Sequence, residues 1–480
     1  SKALGVSTEV LDALPPPVWR DDIGKTHLRI STNNPKAQIW FDQGINYLHG
    51  FWYLEAYRAF KWVITIDPDC AMGYWGLAMC QPGFGGDDFS VWQLAITQAT
   101  QLTEGCASTE KGLIDALNVT AYEDLQSAAG RWRRLAENFP NEPEVVAFAA
   151  IMLRQIVQSD EESDFIKQLL ERAIARFPDH IGLLHYYVHL MEVRPDFRLA
   201  AAAAARMVAV APNNSHLTHM PGHLFFLEGE YAEAARVFEA ARTQEQAYHQ
   251  AESIPVAIDQ NYLHNLHYLS IVYSELGDRD NALAIAKEYA SLTLRHPEPK
   301  EGADWMLLYE GRILPALVLI RFGEYRAAAK EIAFWLATPA VPLKNEMVRE
   351  YLSAIQYYSY AMDFALRGDQ ARAIGYADQL VEHFNRFGQL PVTGPSEEAL
   401  AAQAYDVMNV MRYELAGWLN NMDATQAFRP DEWQFAETLE AQLPYDEPPR
   451  LMYPVAESLA RLHLKRGEIH QARTARDRAL

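Results

Sequence analysis

Cysteine is scarce in this chain, with only Cys70, Cys80 and Cys106 among 480 residues. So sparse and odd a set excludes a disulfide framework and reads as buried reduced thiols. Long apolar runs are also missing. The longest, Val145 to Leu153, is too short to span a bilayer. Positive charge is in deficit: 42 Lys and Arg against 63 Asp and Glu leave a net charge of −21. That argues against nucleic acid or an anionic membrane surface as partner, since both need clustered cations. No secretory signal opens the chain, which begins with a short polar–apolar stretch before Pro15-Pro16-Pro17, so a cytoplasmic location is expected. A hydrolase triad, a phosphate loop and a dinucleotide fingerprint are absent too: Phe84-Gly85-Gly86 lacks the strand–turn–helix context such loops require.

What the chain does have is apolar surface and a repeat. Hydrophobic residues make up 49% and aromatics 11%, enough to exclude a disordered chain. Self-similarity at about 34 residues, with small residues at fixed offsets and a closing proline, is the tetratricopeptide signature. The stretch from Ala37 to Cys70 carries it most fully, with Trp40, Gly44 and Tyr47 on a first helix, Ala56 and Phe60 on a second, then Pro68. The same grammar returns as Gly222, Ala234 and Phe238, as Ala282 after Leu276-Gly277-Asp278, and as Ala328 after Gly323-Glu324-Tyr325. It is there again in Ala373 after Gly368-Asp369 and Ala472 after Gly467-Glu468. These repeats predict an all-α helical-repeat solenoid, a superhelix with a concave groove, over 37–480, preceded by an extension over 1–36 that packs on it. Loops are expected near 81–88, 249–261, 388–395 and 442–449, where the repeat is interrupted.

Histidine is the residue the repeat concentrates. Nine of the fifteen lie between His180 and His267. His185 and His189 recur 34 residues on as His219 and His223; His216 recurs as His264, and His219 as His267, each displaced by one repeat plus 14 residues. Residues four apart share a helix face, so the pairs form stripes on successive first helices, with Glu192 extending the first stripe. Neighbouring helices pack about 8–10 Å apart, close enough for imidazoles on three of them to converge. Such i,i+4 pairs are also the ligand geometry of helical zinc sites. Pro221, between His219 and His223, should either bend its helix or make it start late, and both re-aim the rings.

Several segments resemble a widespread family of bacterial tetratricopeptide-repeat proteins. They include Phe41-Asp42-Gln43-Gly44, His49-Gly50-Phe51-Trp52, Asp67-Pro68-Asp69-Cys70, His180-Ile181-Gly182 with His185-Tyr186, His219-Met220-Pro221-Gly222-His223, and Tyr453-Pro454. Gly222 stands where that family more often has serine. The resemblance covers most of the chain and implies a helical array with a histidine-lined groove, without implying an activity.

Two functional expectations follow. The first is a metal-dependent enzyme, an oxidoreductase acting on a small molecule or a peptide. Its metal ligands would come from His185, His189, His219, His223 and His267, with His216, His264 and His180 at the edge. A nitrogen-only set suits copper or iron, with zinc possible, and the histidines suffice for two metals of about three ligands each. Glu192 is a candidate orienter, ligand or general base. Tyr187 and Tyr262 complete the catalytic candidates, with packing or support of the ligands as their plainer role. The alternative is a scaffold that binds a peptide or protein partner in the groove. Histidines elsewhere, such as His27, His296, His383, His463 and His470, read as structural or exposed.

Overall fold

The computed structural model describes residues 14–84, 89–156, 159–294, 299, 302–337 and 345–479. Among these the secondary structure is helical throughout, and the chain packs as two compact units, 1–265 and 266–480.

The first unit runs through α1 (Pro35–His49), α2 (Tyr53–Ile66), α3 (Ala71–Phe84), α4 (Phe89–Gln101), α5 (Ser108–Tyr122), α6 (Leu125–Asn138), α7 (Pro143–Ile156) and α8 (Asp160–Ile174). It continues with α9 (Ile181–Glu192), α10 (Ala201–Val210), α11 (Ser215–Leu227) and α12 (Tyr231–Glu252). Each helix packs on the next and several on the next but one, as α1 does on α3, α7 on α9 and α9 on α11. That is the contact pattern of stacked helical hairpins.

Local sequence explains the boundaries. Side chains of Asn34, Asp124, Ser159 and Asn214 accept from the backbone N–H two or three residues on, at Lys36, Ser127, Glu162 and Leu217. At the hairpin crossings, glycine makes room for an aromatic ring sixteen residues later. A Cβ on Gly44 would lie 2.6 Å from Phe60, and one on Gly222 would lie 2.4 Å from Phe238. The 14–34 segment lies against α1: Asn46 accepts from Thr26 N–H at 3.1 Å, and Ile23, Leu28 and Ile30 are buried.

Helix α13 (Gln260–Glu275) straddles the division. The second unit then holds α14 (Arg279–Ser291), α15 (Gly302–Met306), a π turn at Leu307–Gly311, α16 (Leu314–Arg321) and α17 (Tyr325–Ala337). After them come α18 (Glu346–Leu366), α19 (Gln370–Phe387), α20 (Pro395–Asn420), α21 (Asp431–Ala441), α22 (Val455–Arg466) and α23 (Ile469–Ala479).

Its turns show why the sequence repeats Gly-Asp or Gly-Glu. Gly277, Gly323, Gly368 and Gly467 all take φ between 73 and 80°, a left-handed conformation that a side chain disfavours. The acidic residue that follows donates its N–H back to the carbonyl five residues before it, from Asp278 to Tyr273, Glu324 to Leu319, Asp369 to Phe364 and Glu468 to His463. This closure satisfies the helix's last carbonyls. Four residues later the fully packed alanines Ala282, Ala328, Ala373 and Ala472 start the next helix.

Three expectations about loops need revision. The interruption at 249–261 is mostly helix: α12 extends through Tyr248 and His249, both buried, to Glu252, and a 3-10 turn follows at Val256–Ile258. Ser253, at φ 56°, and Pro255 end it. At 81–88, helix α3 runs as far as Phe84, and residues 85–88 lie outside the described residues. Around Pro221 the helix does not start late: α11 is continuous from an Asn214 cap, with Pro221 inside it. Segments 388–394 and 442–454 are loops. His296 lies outside the described residues.

Candidate metal centre

Helix α9 carries His185, His189 and Glu192; α11 carries His216, His219 and His223; the start of α13 carries His264 and Asn265. All are buried except the partly exposed His264. They form two sets. In one, ligand nitrogens of His185, His189 and His216 lie within 4.8 Å of one another; in the other, so do those of His219, His223 and His264. Each set is an i,i+4 pair from one helix completed by a histidine from the first turn of the next helix in the array. The two are successive copies of one arrangement, as the 34-residue register of the pairs requires.

The second set is the tighter. His219 Nε2 lies 2.6 Å from His223 Nε2, and His264 Nε2 lies 3.1 and 3.4 Å from those two atoms. Which nitrogens carry protons follows from the groups behind the rings. Asn265 donates its amide to Phe238 O at 2.9 Å and to Glu245 at 3.1 Å, so its Oδ1 is left facing His219 Nδ1 at 3.0 Å. His223 Nδ1 lies 3.1 Å from Glu192 Oε1. Both outer groups are acceptors and favour hydrogen on the Nδ1 atoms, which leaves the Nε2 atoms of His219 and His223 turned toward each other at 2.6 Å. Turning either proton inward would set a bare nitrogen against the carboxylate or the amide oxygen.

The first set repeats the pattern. His185 Nδ1 donates to His49 O at 2.6 Å, and His189 Nδ1 donates to Glu192 Oε2 at 3.2 Å. Nε2 of His185 and of His216 are buried with no hydrogen-bond partner in the protein. Burial, followed by the neighbouring imidazoles, pushes the pKa of His185 and of His216 well below the usual histidine value, which favours the neutral rings. Glu192 therefore touches one histidine of each set, 3.2 Å from His189 and 3.1 Å from His223. It is an orienting carboxylate shared by both.

Nearby, His49 and His180 are arranged differently. Glu144 Oε2 accepts from His49 Nε2 at 2.6 Å, and Oε1 faces His180 Nε2 at 3.0 Å. The other nitrogens accept, His49 Nδ1 from Tyr186 OH at 3.0 Å and His180 Nδ1 from Leu183 N–H at 3.2 Å, which makes His180 the cap of α9. Burial alone would raise Glu144, but the facing His180 and His49 outweigh it and hold the carboxyl well below the usual carboxylate range. His180 thus caps α9 and faces the carboxylate, and the ligand atoms of His49, Glu144 and His180 form a third group within 4.8 Å of one another.

The remaining candidates have other partners. His267 belongs to the second unit, where its Nδ1 lies 3.2 Å from Glu310 Oε2. Burial works against ionisation of Glu310, yet Arg450 and His267 outweigh it and lower its pKa to about 2. Tyr187 donates to Glu171 at 3.1 Å, and Tyr262 OH accepts from Gln246 at 3.0 Å. Sequence reasoning gave no role to His49 or Asn265, whose carbonyl and amide fix two of the rings. The adjacency of Asn265 to His264 was the one available signal. His49 is 136 residues from His185, and nothing in the spacing announces it.

No protein-family model matches the chain, and no curated protein matches it. Solved structures that align with it include yeast Tom70, with 13% identity, 92% of this chain and 91% of that chain covered, and a TM-score of 0.33. Human IFIT1, as a dimer with m7Gppp-AAAA, aligns at 12% identity over 94% of this chain and 90% of that one, with a TM-score of 0.32. The P58(IPK) TPR domain aligns at 13% identity over 92% and 99%, with a TM-score of 0.20. Superpositions this loose say nothing of the site. The tetratricopeptide-like character of the fold rests on the chain's own hairpins and turns.

Proposed function

We propose that the protein is a metal-dependent enzyme whose first unit holds two transition-metal ions, one in each three-histidine set, and that it carries out oxidative chemistry on a small molecule or peptide. The observation that carries the proposal is the convergence of three ring nitrogens from two helices: His219 Nε2 and His223 Nε2 lie 2.6 Å apart, with His264 Nε2 at 3.1 and 3.4 Å from them. A shared proton would serve two nitrogens but not three. Nitrogens about 2.0–2.1 Å from a tetrahedral ion stand about 3.3 Å apart, within reach of these spacings by small ring rotations. Imidazole-only sets suit copper, iron or zinc. Copper or iron is favoured here because two adjacent redox-capable ions can exchange two electrons with one substrate. The chain's part is to hold the rings, through Glu192, Asn265 and His49 O, and to keep water from them.

A peptide- or protein-binding scaffold is the second reading, and it draws on the helical-repeat architecture alone. It assigns no purpose to the register-matched, buried imidazoles of His185, His189, His216, His219 and His223. Elemental analysis of untagged protein, before and after reconstitution with copper, iron or zinc, separates the two. Uptake near two equivalents is expected. Less than about one-tenth equivalent after reconstitution would remove the metal reading, because ligation by neutral imidazole should be tight at neutral pH.

A further inference from the structure

Beside the first histidine set, the first unit contains a cavity of about 140 Å³. Leu48, Phe51, Met79, Ile151, Met152 and Tyr186 form much of its wall, and no charged residue lines it. Phe51 belongs to both places. One side of its ring lines the cavity; the ring also lies 4.5 Å from His185, 5.3 Å from His189, where it is stacked, and 5.7 Å from His216, between centroids. Its backbone takes φ 49°, in the left-handed region that a bulky residue rarely occupies. The turn is held by Phe51 N–H to Leu48 O at 3.1 Å, Trp52 N–H to Tyr47 O at 2.9 Å, and His49 O accepting from His185. Strain of this kind persists where the surroundings over-determine it, and it clusters at functional sites.

We propose that this cavity binds a small uncharged apolar ligand about the size of one aromatic ring, with Phe51 as the partition between that ligand and His185, His189 and His216. An apolar cavity of about 150 Å³ stays dry and takes benzene or xenon, and this one is of that size, with a mostly apolar wall to which Thr120 and Gln155 add polar groups. Flanking rings of Phe51, Tyr53 and Tyr186, stacked on one another at 5.7 and 5.8 Å, offer edges and faces to an aromatic guest. The inference deepens the reading of the metal centre. It rests on that reading for what the ligand meets beyond Phe51, and not for the binding itself.

Fluorobenzene observed by 19F NMR tests both parts on the full chain. Saturable binding to metal-free protein is expected, weakened at least about tenfold by Ile151→Trp, which fills the space. If that variant does not fold, Met152→Trp serves in its place. On protein loaded with Cu(II), the bound resonance should broaden, and Phe51→Ala should broaden it further. Absence of saturable binding, or binding unchanged by filled variants, overturns the pocket. Copper uptake without broadening overturns the link between pocket and imidazoles. Binding in protein that takes up no metal overturns the proposed metal centre and leaves the pocket standing alone.

Discussion

Glu144 and Glu192, both buried in the first unit, each face two imidazoles, yet what lies behind those imidazoles differs. Around Glu144, the far nitrogen of each ring accepts from a donor: Tyr186 OH for His49 and Leu183 N–H for His180. Around Glu192, the ring of His223 turns its Nε2 toward the Nε2 of His219 at 2.6 Å. Residue types are the same and burial is the same. What differs is the partner of the second nitrogen, a donor in one group and another imidazole in the other.

The strongest way to break this comparison is to treat the two groups alike. His219→Ala or His223→Ala should weaken metal binding at that set by at least about 100-fold, beyond the range typical of outer partners, with helix content retained. Glu144→Gln should leave metal affinity within about tenfold and instead cost about 1.5–3 kcal/mol of stability, the worth of hydrogen bonds to a charged group. Competitive metal titration and denaturant unfolding read the two effects. Equal metal losses in both variants would mean the groups are not distinct.

Glu192→Gln sharpens the comparison from the carboxylate side. The amide can no longer accept from both His189 and His223, so one ring in some set loses its orientation. A 10–100-fold loss of metal affinity is expected, as for outer partners of ligating histidines. An unchanged titration would reduce Glu192 to packing.

Acid should also separate the groups in metal-free protein. His185 and His216 have folded pKa values well below the ordinary 6.5, chiefly through burial. Below about pH 6.5 the unfolded chain takes up protons there that the folded chain refuses, so stability must fall as pH falls. Each group contributes up to about 1.4 kcal/mol per pH unit until its folded pKa is reached. Unfolding followed between pH 7.5 and 5.5 should show this slope, and His185→Phe or His216→Phe should flatten it. A slope identical in both variants would mean that other groups govern acid sensitivity.

Much of this was open to sequence reasoning, for identifiable reasons. Gly-Asp and Gly-Glu before a packed alanine mark the turns because left-handed φ and a tight crossing each admit few residues. The 34-residue register exposes both histidine sets because a repeat places equivalent side chains on equivalent faces. Spacing cannot show that His180 Nδ1 also caps α9. His49 and Glu144 went unseen because they reach the site from other hairpins. The run to Glu252 was mistaken for a loop because an insertion in the repeat period does not say whether the extra residues stay helical.

Pro221 carries the smallest expected effect and the finest test of how the sets are aimed. It sits inside α11, between His219 and His223, and lacks the N–H that Leu217 O would otherwise receive. Alanine at an interior helix position is better than proline by about 3 kcal/mol, so Pro221→Ala should raise the melting temperature of metal-free protein. Restoring that hydrogen bond should also tighten the turn bearing His219 and move its Nε2 relative to His223. Metal affinity should then drop, though by less than about tenfold, since every ligand and every outer partner remains. If the variant is more stable and binds metal as well as the parent does, the proline is a tolerated irregularity. If it gains stability and loses affinity together, the helix gives up stability in order to hold two imidazoles where a cation must join them.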